Sequence, residues 1–138
     1  MKRAAVATTL LTAVVALTGV AGSAAARESR TCARGIPLER DPRGLLPLTG
    51  VNPIAPATAA AVRHVAPADK PQVRGAALAT VDQERGPQAK RECGTRVWNR
   101  TVVVYVLARA LLPSQSLSQR AFFVGRFADG YSVWQIVH

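Results

Sequence analysis

The sequence predicts an α+β fold in which one short helix packs on a curved antiparallel sheet of about four strands. An irregular N-terminal arm precedes this domain. Proline and glycine interrupt the arm every two to six residues, which excludes long regular elements there. One alanine-rich segment then suits a helix, and several later segments are rich in β-branched and aromatic residues. A helix followed by antiparallel strands gives a helix laid across one sheet face.

The first 26 residues have the features of a secretory signal peptide. Lys2 and Arg3 form a positively charged start, a long apolar stretch follows, and an A-x-A site allows cleavage after Ala26. The alternative is an uncleaved segment that anchors the protein in a membrane, since ~20 apolar residues can span a bilayer. We therefore predict a secreted, extracellular protein with no membrane span after cleavage. Its domains are a signal peptide (1–26), an irregular arm (27–56) and a small α+β domain (57–138).

The predicted helix covers residues 57–66, ATAAAVRHVA. Pro56 suits the first helical position, where a missing N–H leaves no hydrogen bond unmade. Pro67 ends the helix because proline cannot continue it. Val62 and Val65 are three residues apart and share one face, which predicts a weakly amphipathic helix stabilised by packing.

Four segments have the composition of strands. They are Gln72–Asp82, Thr95–Arg109, Arg120–Phe127 and Tyr131–His138. The segment between the first two, ERGPQAKREC, is interpreted as a polar turn. Thr95–Arg109 would span about 50 Å as one straight strand, which is too long for a domain of this size. We therefore expect a bend or bulge near Asn99–Thr101.

The dipeptide Asp129-Gly130 between two apolar runs is the strongest hairpin signal in the chain. A two-residue loop at Asp129-Gly130, which we favour, would gather four side chains on one face: Phe123, Phe127, Trp134 and Ile136. A three-residue loop would shift the register and gather a different set: Phe122, Val124, Trp134 and Ile136.

Cys32 and Cys93 are the two cysteines of the chain. In an exported protein the expected state is a disulfide between them, and the long loop that it closes would contribute about 4 kcal/mol of stability. The alternative is a nucleophilic thiol, which needs His64 or His138 within reach. The spacing of these cysteines and histidines does not match a metal site. The sequence thus predicts no catalytic, cofactor-binding or metal-binding residue.

The net charge is strongly positive at +10, and removal of Lys2 and Arg3 with the signal peptide lowers it to +8. One interpretation is an anionic partner, such as a wall polymer. The other is a high-GC codon bias with a solvated, arginine-rich surface. No block of like charges forms a basic tail, so we do not expect nucleic acid to be the partner.

Arg96, Trp98 and Arg100 share one face if Thr95–Arg109 is a strand. Exposed on that face, they would form a stripe that contacts an anionic or aromatic ligand by charge and cation–π interaction. If Trp98 is buried instead, the two arginines only extend their stems along the edge of the core. Asp82 and Glu84, a neighbouring carboxylate pair, are interpreted as turn residues, since acid–base pairs are normally assembled from distant segments.

Residues 46–50, LPLTG, fit the LPxTG pattern of sortase substrates. A sortase substrate also needs an apolar span and a basic tail after the motif, and the sequence does not show these. We interpret Leu46–Gly50 as part of the arm.

The order of elements over 57–138 resembles the cystatin-like architecture and its NTF2-like relatives. The inhibitory Q-x-V-x-G signature of cystatins is not matched, because QVRG at Gln72–Gly75 is one residue short. The alanine-rich signal, VVVYV and FADGYSVW also resemble small secreted proteins of Streptomyces-type actinobacteria. That resemblance implies a source and no activity.

These observations favour a secreted, non-enzymatic binding or interaction module whose partner is an anionic wall polymer or a secreted protein. One alternative is a secreted hydrolase inhibitor that presents the Leu111–Gln119 loop or the basic arm. A less favoured one is an NTF2-like enzyme, which needs polar groups that converge on a concave sheet face.

Overall fold

A computed structural model describes residues 32–49, 52–114 and 118–138. The fold is α+β, as predicted. The elements are α1 (Ile54–Arg63), β1 (Pro71–Leu78), α2 (Gly86–Trp98), β2 (Thr101–Ala108), β3 (Gln119–Phe127) and β4 (Gly130–Val137), with short 3-10 turns at Pro42–Gly44 and Pro67–Asp69. The strands form one antiparallel sheet in the order β1-β2-β3-β4. The predicted signal peptide and its cleavage site lie outside the described residues.

The two central strands, β2 and β3, are buried on both faces of the sheet. Val103 and Phe123 belong to the core on one face, whereas Val102 and Phe122 belong to the core on the other. All four side chains are fully buried. This double burial explains why the sequence of β2 is apolar at both even and odd positions.

Helix α1 covers the second of these faces with small side chains. Ala57, Ala60 and Ala61 pack there against the sheet, together with Val65, which follows the helix. The helix begins at Ile54 and ends at Arg63, so both predicted ends, at residues 57 and 66, are three residues late. Its first turn is fixed by the side-chain Oδ1 of Asn52, which accepts the Ile54 N–H at 3.2 Å. Pro56 lies within this turn, where its missing N–H needs no partner.

Helix α2 covers the opposite face, and the sequence analysis missed it. The predictions of a polar turn at ERGPQAKREC and of a strand from Thr95 are wrong, because residues 86–98 are helical. Ala89, Cys93 and Val97, spaced by four, are the buried face of the helix. Gly94 interrupts the helix with φ +82°, a conformation that favours glycine.

The predicted bend near Asn99–Thr101 is the junction between α2 and β2, and β2 itself begins at Thr101. A bulge occurs instead in β1, where Val73 pairs with Val106 and Gly75 pairs with Tyr105. The extra residue at this bulge is Arg74.

Neither of the two predicted registers describes the whole β3–β4 hairpin. Phe127 pairs with Gly130, so the turn is Ala128-Asp129, and Gly130 adopts φ +118°. A bulge in β4 at Trp134 then shifts the pairing. This extra residue places Trp134 beside Phe123, with ring centroids 5.2 Å apart. Ile136 packs against the core on the α1 face, whereas both predicted registers placed it on the same face as Trp134. The prediction is therefore wrong for Ile136.

The predicted disulfide between Cys32 and Cys93 is confirmed, and it ties the arm to α2. From there the arm follows the edge of β4, where the Glu39 N–H donates to the Trp134 carbonyl at 2.9 Å. It ends near β3, where the Leu46 N–H donates to the Arg126 carbonyl at 2.7 Å. The arm is therefore irregular but held at several points. In the ranges described, no helix is long and apolar enough to cross a membrane.

Leu45 inserts from the arm into the core beside α2 and is only 1% exposed. Gly125 leaves room for it, since a Cβ at this position would lie 1.9 Å from the Leu45 Cδ2. The Arg100 Nη1 donates to the Leu45 carbonyl at 2.6 Å and fixes the backbone there. Leu45 is thus the point at which the arm becomes part of the domain.

We predict that Leu45→Ala lowers the free energy of unfolding by about 2–5 kcal/mol, because it removes a fully buried side chain and leaves a cavity. The matched control is Leu46→Ala, whose side chain is 36% exposed and should cost less than about 1 kcal/mol. Urea unfolding followed by tryptophan fluorescence measures both. Equal losses would contradict the assignment of Leu45 to the core.

Candidate ligand-binding cleft

One end of the sheet is less completely covered on the α2 face, because the helix is shorter than the strands beneath it. Its 13 residues span at most about 20 Å, whereas strands of eight or nine residues span about 27–30 Å. A cleft of about 630 Å³ opens at this end, and we refer to it as the arginine cleft. Its lining residues are Arg74, Glu84, Arg85, Tyr105, Val106, Leu107, Gln119, Arg120, Ala121, Val137 and His138.

The floor of the arginine cleft is a row of side chains across three strands. Tyr105 pairs with Ala121, and Ala121 pairs with Val137. These three residues pack on the core beneath α2. The half-buried Leu107 extends the floor along β2.

Three arginines from three different elements form the rim. Arg74 is the extra residue of the β1 bulge, and such bulges re-aim a side chain out of the regular alternation. Arg85 directly precedes α2, and its guanidinium donates to the His138 carbonyl at 3.1 Å and to the Gln88 side chain at 3.3 Å. Arg120, near the start of β3, pairs with Val106 of the core on the α1 face, so it approaches the opening from the other side of the sheet. Arg85 is therefore held in place by the fold.

Tyr105 and Asp82 form a hydrogen-bonded pair between the cleft and α2. The Tyr105 hydroxyl lies 3.0 and 3.1 Å from the two carboxylate oxygens of Asp82. Burial raises the pKa of Tyr105 well above its usual range, and its hydrogen bond to Asp82 raises it further. The Asp82 carboxylate also accepts the backbone N–H groups of Arg85 and Gly86 at 2.7 and 2.9 Å. Asp82 is thus a turn residue that fixes the start of α2, in agreement with the sequence interpretation.

The predicted stripe of Arg96, Trp98 and Arg100 does not lie on one strand. Arg96 and Trp98 belong to α2 and Arg100 follows it, so the argument from strand alternation is wrong. The Arg96 guanidinium donates to the Arg43 carbonyl at 3.4 Å, and Arg100 donates to the Leu45 carbonyl. Both arginines therefore hold the arm.

Trp98 has a separate structural role. Its Nε1–H donates to the Ala79 carbonyl at 2.9 Å, which ties α2 to the end of β1. The Lys90 ammonium lies 4.5 Å from the centroid of the Trp98 ring. Arg96 and Arg100 share a cleft of about 530 Å³ with the arm, whereas Trp98 lines a different one. That the three residues contact a ligand stays a prediction.

A further cleft of about 380 Å³ lies between the arm, α1 and β4, and Arg40 is one of its lining residues. The Arg40 guanidinium donates to the Ser132 hydroxyl at 3.0 Å, forms an ion pair with Asp129 at 2.8 Å and stacks on the Phe127 ring at 3.9 Å. The hydrogen bond from Arg40 lowers the pKa of Asp129. The charge of Arg40 is thus paired with the carboxylate of Asp129, which makes this cleft a weaker candidate for binding an anion.

Other predicted features are only partly covered by the structure. Within the described ranges, no group of three or more His, Cys, Asp or Glu side chains could hold a metal ion. Residues 115–117 of the Leu111–Gln119 loop lie outside the described residues, so the inhibitor hypothesis stays a prediction. Gly50 of LPLTG also lies outside them.

Sequence reasoning missed the arginine cleft because its residues are distant in the chain. One signal was present: Arg74 stands beside Gly75 in a strand, and an isolated glycine in a strand often marks a bulge. No comparable signal brings Arg85 or Arg120 to the same end of the sheet. Their meeting depends on strand register and on where α2 begins.

Comparisons of the chain with protein-family models, with curated proteins and with solved structures found no match. The resemblances drawn from element order and from sequence texture therefore stay predictions.

We predict that Tyr105→Phe lowers the free energy of unfolding by about 1–2 kcal/mol at pH 7, because a hydrogen bond to a carboxylate is lost. The matched control is Tyr131→Phe, whose hydroxyl is buried without a hydrogen bond and should cost less. Urea unfolding of the wild type and both variants at neutral pH measures the difference.

The raised pKa of Tyr105 also predicts a pH dependence. Above about pH 10 an unfolded tyrosine loses its proton, whereas folded Tyr105 keeps it, so the folded state loses stability relative to the unfolded state. Wild-type stability should therefore fall as the pH rises beyond 10, and Tyr105→Phe should fall less steeply. Identical pH profiles for the two proteins would refute the pairing with Asp82.

Proposed function

We propose that the protein is a secreted, non-enzymatic binding module that holds an anionic group in the arginine cleft. The observation that carries this proposal is the placement of Arg74, Arg85 and Arg120 around one opening. Glu84 is the one acidic side chain among the residues that line it. Guanidinium groups bind carboxylates and phosphates through paired N–H donors, so this rim suits an oxyanion.

Two features support a location outside the cell. A disulfide such as Cys32–Cys93 persists in oxidising environments and is rare in the cytosol. The N-terminal sequence has the pattern of a secretory signal. The positive net charge would also attract an anionic wall polymer over distance and raise its local concentration.

The polar groups nearest the floor support binding rather than catalysis. Asp82 accepts hydrogen bonds from Tyr105 and from the start of α2, so its carboxylate is engaged within the fold. The raised pKa of Tyr105 keeps its hydroxyl protonated, and that hydroxyl donates to Asp82. Neither group is poised to exchange a proton with a ligand at neutral pH.

We predict that purified cell-wall material rich in anionic polymer retains the protein at low salt, and that the double substitution Arg74→Ala with Arg120→Ala weakens binding about tenfold. Added salt should weaken wild-type binding because it screens exposed charges. Pull-down at increasing salt concentration measures both effects.

The matched control is Arg34→Ala with Arg91→Ala, which removes the same charge from exposed positions that do not line the arginine cleft. This control should retain binding within about twofold. If both double variants weaken binding equally, net charge is responsible and the cleft is not the site. If the wild type is not retained at all, the proposed function is wrong for this polymer.

A further inference from the structure

We propose that the arginine cleft takes an amphipathic anion, in which a single phosphate or carboxylate head is bonded directly to an apolar body. This inference rests on the proposed function and names the ligand class of the same site. It follows from the division of the cleft into a charged rim and an apolar floor.

The floor sets the requirement for an apolar body. Ala121 and Val137 are apolar, Tyr105 presents an aromatic ring, and Leu107 continues the surface along β2. Ala121 and Val137 are only 4% and 7% exposed, so the apolar surface that a wholly polar ligand would leave in contact with water belongs to the half-buried Tyr105 ring and Leu107. An apolar body would remove it from water, and burial of apolar surface is favourable in proportion to its area.

The rim sets the requirement for the head. The Tyr105 hydroxyl is directed to Asp82, so recognition of the head is left to the guanidinium groups. Arg85 is already oriented by its bonds to the His138 carbonyl and Gln88, which lowers the cost of ordering it upon binding. Guanidinium groups pair with phosphate and carboxylate alike, so the head is defined by its charge and its oxygen atoms.

The size of the cleft limits the body. A volume of about 630 Å³ falls within the range of sites that bind small molecules. The apolar part of the floor that water reaches is limited to the half-buried Tyr105 and Leu107. A short alkyl chain or a single ring therefore suits the floor better than a bulky or branched group.

The test is a series of straight-chain alkyl phosphates from methyl to hexyl, with the alkyl carboxylates of equal length as a second series. Binding is measured by changes in the amide signals of the full disulfide-bonded protein in nuclear magnetic resonance titrations. We expect affinity to rise by about two- to fourfold for each added methylene until the floor is covered. The neutral alcohols of equal length should bind more weakly than either series.

Two sets of variants separate the head from the body. Arg74→Ala with Arg120→Ala should weaken all members of a series by the same factor, because each member has the same head. Leu107→Ala should instead reduce the gain per methylene, and Leu38→Ala is its exposed control on the arm. Leu107→Val, which removes less of the side chain, provides a second test of the floor if Leu107→Ala unfolds the domain.

The outcomes distinguish this inference from the proposed function. Equal affinity at all chain lengths would overturn the amphipathic ligand, while arginine-dependent retention on wall polymer would leave the proposed function intact. Retention on the polymer without binding of the alkyl phosphates or carboxylates would likewise overturn the amphipathic ligand and leave the proposed function intact. A gain per methylene that the floor variants do not change would place the apolar contact elsewhere and also overturn the inference. Failure of both the series and the polymer would overturn the two proposals together.

Discussion

Strands β2 and β3 carry apolar side chains on both faces of the sheet, and each face must therefore be covered. The cover comes from the arm and α1, which precede β1, and from α2, which lies in the connection between β1 and β2. On one face α1 is sufficient, since its alanines allow the helix to lie close to the sheet and within reach of all four strands. On the other face α2 is too short to cover the whole sheet. The arm therefore contributes to the cover at one end, and the cleft opens at the other.

At the end of the sheet near the C-terminus of α2, the arm completes the cover. Leu45 fills the space above Gly125, and Arg100 binds the backbone of the arm at the same point. The disulfide at Cys32 holds the far end of the arm to α2, so the loop that carries Leu45 is constrained at both ends. At the opposite end of the sheet, the cover is incomplete, because Tyr105 and Leu107 stay half-buried, and the arginine cleft opens there.

The sequence was sufficient to predict what composition and periodicity determine: the fold class, helix α1, the four strands and the disulfide. It was misleading at α2, because Gly86-Pro87 and Gly94 are typical of turns. The spacing of Ala89, Cys93 and Val97 by four residues was the signal of the helix, and its apolar side chains are too small to stand out. The hairpin register failed for a different reason: a bulge at Trp134 changes which face the last residues occupy, and dipeptide signals at the turn do not report it.

The candidate site shows why total charge was a poor guide to function. Arg40, Arg96 and Arg100 all bond to groups of the protein itself, so much of the basic character of the chain stabilises the arm. Arg85 also bonds to the protein, so what distinguishes the cleft arginines is position: a bulge in β1 and the start of α2 bring two of them to the same opening as Arg120. One residue more or less in β1 would turn Arg74 to the other face without any change in net charge. A ligand site on this sheet is therefore determined by register, and charge contributes only after register has placed it.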